Sequence, residues 1–280
     1  MREIYYEQIK AAVKQCVLKA NLELPEDIEA ALRVAWAGED SERARGLLQI
    51  MLDNAEMARQ QRMAICQDTG LVAVTISIGQ DVHIVGGDIN EAVNAGIREG
   101  YQEGWFRKSV VTDPLERVNS GDNTPAVIHY ELAAGDHFII TVLPKGAGSE
   151  NMGQLTMLKP AQGWEGVRDF VVKVVKEAGG NACPPVIVGV GIGGNMEMAS
   201  YLAKKALLRP INRRHNKPRL AQLEQELLKM VNRLGLGPQG LGGATTALAV
   251  NIESYPTHIA CLPVAVSLGC HATRRSSCEL

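Results

Sequence analysis

Ile65-Cys66-Gln67-Asp68-Thr69-Gly70-Leu71-Val72-Ala73-Val74-Thr75-Ile76-Ser77-Ile78 is where the chain changes character. Before it, apolar residues recur at helical spacing, and Ile9, Val13, Cys16, Val17 and Ala20 share one helix face. From Leu71 onward β-branched and apolar residues alternate with small polar ones, the pattern of a half-buried strand. Between the two lies a polar turn led by a cysteine. The stretch therefore separates a helical N-terminal segment, about residues 1–62, from a part built of mixed strands and helices.

Working outward, Pro25 sits beside acids where a second helix starts, and Ser41 can cap a third that runs towards Arg62. Downstream, Asp88-Ile89-Asn90-Glu91 has capping-box spacing and opens a helix towards Gly104. Residues 126–132 and 137–143 read as two strands paired around Ala134-Gly135-Asp136. Residues 163–178 read as a helix closed by Gly179-Gly180. Residues 186–190 form a short apolar strand, residues 196–208 and 219–234 helices, and residues 244–250 and 259–268 strands. There is no repeat, low-complexity tract or linker. The expectation is one α+β (mixed α/β) domain over residues 1–280, with mixed sheets flanked by helices.

Of the 280 residues 46% are hydrophobic, enough for a full core, but only 4% are aromatic, so aliphatic side chains must fill it. The net charge of -2 points neither to nucleic acid nor to a membrane surface. No stretch of about 18 apolar residues is present, and the charged N-terminus lacks the apolar core of a signal peptide. A cytoplasmic protein is expected. Its six cysteines are then packing, metal-binding or catalytic groups rather than a disulfide framework.

Cys66, Cys183 in Asn181-Ala182-Cys183-Pro184-Pro185, and Cys270 in Leu268-Gly269-Cys270-His271 stand beside glycine or proline at strand ends. No C-x-x-C pair supports a zinc ribbon or a thioredoxin-like motif. On spacing alone the three read as small buried hydrophobes rather than as ligands. Gly146-Ala147-Gly148-Ser149-Glu150-Asn151 is either a surface turn or a flexible loop whose amides can approach an anion. Gly189-x-Gly191-x-x-Gly194 follows a strand and precedes a helix, as a dinucleotide fingerprint does. No second strand ending in an acid follows, and the glycines are read instead as permitting close backbone approach near Cys183.

Six motifs in order carry a resemblance. They are Ile65-Cys66-Gln67-Asp68-Thr69-Gly70, residues 145–151, residues 182–191, Leu208-Arg209-Pro210-Ile211, residues 234–240, and the stretch ending in Gly269-Cys270. Together they resemble the α subunit, or N-terminal part, of the class I fumarases and L-tartrate dehydratases over about residues 53–275. The resemblance implies a 4Fe-4S cluster on Cys66, Cys183 and Cys270, with one iron left open as a Lewis acid. It implies Asp68 and His258 as catalytic groups, and Gln67, Arg107, Gly146 and Gly148 as substrate-binding ones. Cys261 is read as core, Cys16 as a bystander on a helix, and Cys278 as a bystander in a tail.

The resemblance is nearest to a two-subunit fumarase, which hydrates fumarate to L-malate in the tricarboxylic acid cycle. An L-tartrate dehydratase α subunit and a non-catalytic iron–sulfur or assembly subunit are the alternatives. Gly148-Ser149-Glu150-Asn151 looks like the fumarase form of its loop. The chain stops ten residues after Cys270 and offers no evident base for the carbon proton. A separate β subunit is therefore expected, with the αβ unit assembling into a higher oligomer.

Overall fold

The computed structural model describes residues 1–280. The first elements are β1 (Arg2–Tyr5), α1 (Tyr6–Leu22), α2 (Glu26–Ala37), α3 (Glu42–Gln61), β2 (Leu71–Gly79), β3 (Val82–Val85) and α4 (Ile89–Glu103). Then come β4 (Val127–Ala133), β5 (Phe138–Lys145), the single turn α5 (Ala147–Glu150), β6 (Gln154–Leu158) and α6 (Gly163–Ala178). The last are β7 (Val186–Gly194), α7 (Met196–Ala206), α8 (Pro218–Asn232), β8 (Ala247–Thr257), β9 (Leu262–Gly269) and β10 (Ser276–Glu279). Helices and mixed sheets together make the α+β class read from the sequence. No helix is long and apolar enough to cross a membrane.

Two compact units emerge. One comprises Met1–Pro25, Asn54–Ala147 and Arg274–Leu280, the other Glu26–Asp53 and Gly148–Thr273.

In the first unit a four-stranded sheet runs β10-β5-β2-β4, and β1 pairs with β3 in a separate ribbon. The alternation in β2 buries Val72, Val74 and Ile76 against Val13 and Val17 of α1 and Val93 and Ile97 of α4. Each such side chain contributes about 1.5–3 kcal/mol by leaving water. Asp88 caps α4 by accepting from the Glu91 amide at 3.0 Å. The two helices pack closely because α4 offers glycine: a Cβ at Gly96 would lie 2.5 Å from Lys10 O.

Two expectations change here. The strands β4 and β5 do not pair with each other; β2 lies between them, parallel to β4 and antiparallel to β5. The end of β2 enters the turn that joins them, with the Gly79 amide on His137 O at 2.8 Å and Gln80 on Ala133 O at 2.9 Å. A strand as apolar as β2 hides best when paired on both edges, and no local turn signal reveals that a third strand will intervene. Cys278 is not in a tail. It sits in β10 opposite Ile140 of β5, packed against the core that includes Cys16.

In the second unit the sheet order is β6-β9-β7-β8, with β7 parallel to β8 and antiparallel to β9. Val186, Val188 and Val190 of β7 join Val171 and Val175 of α6 and Leu227 and Val231 of α8 in its core. The fingerprint-like glycines belong to packing. A Cβ at Gly189 would meet Ala203 O at 2.2 Å, and one at Gly191 would meet Ala199 O at 2.0 Å. The close approach they permit is that of α7 across β7, not one at Cys183.

Gly191→Val should therefore cost roughly 1–3 kcal/mol of stability through overpacking. Gly46→Ala is the opposite case. Gly46 lies inside α3 with nothing within 4 Å of an added Cβ, so the change should stabilise by about 0.5–1 kcal/mol. Thermal denaturation of the two variants checks both signs.

Candidate active site

The polar turn between α3 and β2 has no sheet or helix to satisfy its backbone, and buried side chains do so instead. Three consecutive carbonyls each receive a side-chain donor. Asp68 O accepts from Arg274 Nη2 at 2.8 Å. Thr69 O accepts from the Tyr101 hydroxyl at 2.6 Å, which also reaches Gly70 O at 3.1 Å. Gly70 O accepts in addition from Asn123 Nδ2 at 3.1 Å. Tyr101 is fully buried, and burial pushes its phenol well above the ordinary value, so it stays a proton donor. Upstream, the Ile65 amide donates to Asn21 O and Ile65 O accepts from Asn54 Nδ2, each at 2.9 Å. Gly70 adopts φ +75°, and a Cβ there would collide with the Lys145 backbone at 2.4 Å.

The Asp68 carboxylate is fixed by two amides. Oδ1 accepts from Gly70 N at 3.0 Å and Oδ2 from Ala147 N at 2.8 Å. Gly146 is held tight there, since a Cβ would stand 3.2 Å from Oδ2. Asp68 is partly exposed, with lone pairs left over for another donor. Gln67 and Arg107 are exposed. Arg107 is tied to the same turn through its backbone, because its carbonyl accepts from the Thr69 hydroxyl at 2.7 Å.

In the second unit, Cys183 and Cys270 are neighbours. The His271 amide donates to Cys183 O at 3.2 Å, and His271 Nδ1 lies 3.0 Å from the same oxygen. Cys183 follows the short 3-10 turn Gly179–Ala182 and adopts the left-handed conformation, φ 52° and ψ 63°. A β-carbon makes that costly, so the surrounding contacts must enforce it. They include the Gln239 amide on Pro184 O at 2.8 Å and the Cys183 amide on Gly180 O at 3.0 Å. The Thr273 hydroxyl donates to Cys270 O at 2.7 Å. Gly148 packs against Asn181, where a Cβ would lie 3.2 Å from the carbonyl oxygen.

His258 lies exposed just past the end of β8. Its Nδ1 accepts from the Ala260 amide at 3.1 Å, which places the ring proton of the neutral form on Nε2. Cys261 departs from the core reading. It precedes β9 and is partly exposed, with its amide on His258 O at 2.9 Å. Cys66, Cys183 and Cys270 all lie outside helices and strands and are partly exposed, whereas Cys16 is buried. No three His, Cys, Asp or Glu side chains converge to hold a single metal ion.

The family model for fumarate hydratase (Fumerase) matches residues 10–279. The chain belongs to that family. It is 41% identical over 277 residues to a Methanocaldococcus jannaschii protein provisionally named as L(+)-tartrate dehydratase subunit alpha, covering 96% of each chain. Over 258 residues it is 36% identical to the L(+)-tartrate dehydratase subunit alpha of Escherichia coli strain UTI89, covering 91% of this chain and 84% of that one. The corresponding subunit of Escherichia coli K12 is 35% identical over the same length. Membership makes the chain part of a hydro-lyase family and gives the polar turn and the two neighbouring cysteines a chemical context.

Tyr101, Asn123, Arg274, His271 and Gln239 were not singled out in the sequence. Each acts on the site's backbone from far along the chain, and no spacing rule marks such a bond. Tyr101→Phe tests the turn most simply. It leaves Thr69 O without a donor in a buried setting and should cost about 1–3 kcal/mol. The denaturant midpoint should fall with an unchanged slope.

Proposed function

We propose that this chain is the α subunit of an iron–sulfur hydro-lyase that interconverts fumarate and L-malate together with a β subunit. The observation that carries the reading is the Asp68 carboxylate, clamped by the Gly70 and Ala147 amides one residue beyond Gln67 and two beyond Cys66. A carboxylate so fixed, and still partly exposed, suits proton transfer at a defined point.

Cys66, Cys183 and Cys270 are assigned as the cluster ligands. The donor set fits a 4Fe-4S cluster: three thiols, all in loops and partly exposed, with Cys183 held in a strained left-handed conformation. A cluster is larger than a single ion, so its thiolates need not converge on one point. When bound, a cluster with three thiolates supplies one open iron as a Lewis acid.

The chain's own residues have separable tasks. The Arg107 guanidinium is exposed and can grip one substrate carboxylate through two N–H groups. The Gln67 amide donates to a carboxylate oxygen, and the loop at Gly146 and Gly148 offers backbone donors. His258, with its proton on Nε2, serves as a donor towards developing carboxylate charge or as an acid. Asp68 takes or returns the proton of the hydroxyl that adds or leaves. Each of these already has a task, and none of them is an evident base for the carbon proton. That base is assigned to the β subunit. The relatives named as subunit alpha, which the chain matches over nearly its whole length, support a partnered enzyme. The αβ unit would assemble further, in the reducing cytoplasm that a solvent-accessible cluster requires.

Fumarate is preferred because Gly148-Ser149-Glu150-Asn151 resembles the fumarase loop. The second reading, dehydration of L-tartrate, rests on the names of the relatives. The two differ by one hydroxyl, and a site built to bond that hydroxyl discriminates sharply against a substrate lacking it.

Anaerobic co-reconstitution with the β subunit should give a higher kcat/KM for L-malate than for L-tartrate. The reverse order would establish the second reading, and no turnover of either would leave only an assembly role. Cys183→Ser should lose most of its iron and sulfide on anaerobic reconstitution, measured directly; full content would remove Cys183 from the ligand set.

A further inference from the structure

Arg274 is the least economical side chain in the first unit. Only 2% of it is exposed, and it spends one donor, Nη2, on Asp68 O. Its Nε and Nη1 are buried without a hydrogen-bond partner. A guanidinium with unmet donors away from water is a net cost to folding, and an apolar residue of similar length is often as stable or more so. A residue that costs stability at a site is a candidate for a functional one.

What Arg274 touches identifies the function. Asp68 O is the first of the three consecutive carbonyls that side chains hold, and the only one served by a single charged donor. A hydrogen bond from a charged donor is stronger than a neutral one. The same residue's carboxylate is the group clamped by the Gly70 and Ala147 amides. Tyr101 and Asn123 fix the downstream carbonyls, but only Arg274 fixes the peptide of Asp68 itself.

We propose that Arg274 is a positioning residue for the hydro-lyase reaction, holding the Asp68 peptide so that the carboxylate stays in its two-amide clamp. This rests on the reading of Asp68 given above. The expected variant is one that folds well and works badly.

Arg274→Met is the test, with Arg274→Lys as the conservative change that can restore one charged donor. Three measurements separate the cases. In the metal-free protein, the melting temperature of Arg274→Met should stay close to that of the parent, because relief of two unmet buried donors offsets the donor lost to Asp68 O. In the same metal-free protein, hydrogen exchange at the Gly70 and Ala147 amides should quicken about tenfold or more while the β2 and β5 amides keep their protection. In the reconstituted enzyme at equal iron content, kcat should fall about 100-fold with KM changed little, the usual penalty for a misplaced catalytic group, and Arg274→Lys should recover part of it.

The proposal is overturned if exchange at Gly70 and Ala147 is unaltered, or if melting temperature and activity fall together so that activity per folded molecule is preserved. Failure of the parent enzyme to turn over fumarate or tartrate would count against the function proposed above. The exchange experiment would still decide whether Arg274 holds the turn.

Discussion

A polar turn outside regular secondary structure leaves backbone polar groups that need other partners. The turn at residues 66–70 meets this constraint by drawing on side chains. Tyr101 comes from α4, Asn123 from the loop before β4, and Arg274 from the approach to β10. Buried carbonyls without partners would each cost as much as a lost hydrogen bond or more. The placement of α4 against α1, the insertion of β2 between β4 and β5, and the return of the C-terminus as β10 all bring those donors to one turn. Glycine at position 70 is part of the same solution, since only a residue without a Cβ fits against the Lys145 backbone there.

The second unit treats Cys183 in a parallel way. Its left-handed conformation is held by short local bonds and by Gln239 and His271, which approach from distant parts of the sequence. His271 is the residue after Cys270, so one side chain both locates Cys183 and fixes the relation of the two cysteines. The glycines of β7 serve a different purpose. They bring α7 against the sheet and explain a fingerprint-like sequence without any nucleotide.

Much of the regular structure was legible because it obeys local rules. Helix α6 has the bounds its apolar spacing and closing glycine indicate, and Gly179 takes a positive φ that favours glycine. Strand β2 follows from alternation. Strand β10, Ser-Ser-Cys-Glu, has no such pattern; its strand state is imposed by the open edge of β5. The β4–β5 hairpin was misread for a related reason, as local turn chemistry cannot report an intervening strand. Gln67 and Asp68 were visible because three polar residues after a cysteine are unusual before a strand, and the family resemblance gave them roles. Tyr101, Asn123 and Arg274 were invisible because their work is done on carbonyl oxygens, and every residue has one.

The proposed function requires a cluster that binds substrate rather than one that only carries electrons. The most direct test is Mössbauer spectroscopy of the anaerobically reconstituted, iron-57-labelled α and β subunits, with and without L-malate. The account predicts that one iron of the four changes its spectrum when substrate is added while the other three do not. Four irons that remain unchanged under saturating substrate, in a preparation with full iron and sulfide content, would contradict it.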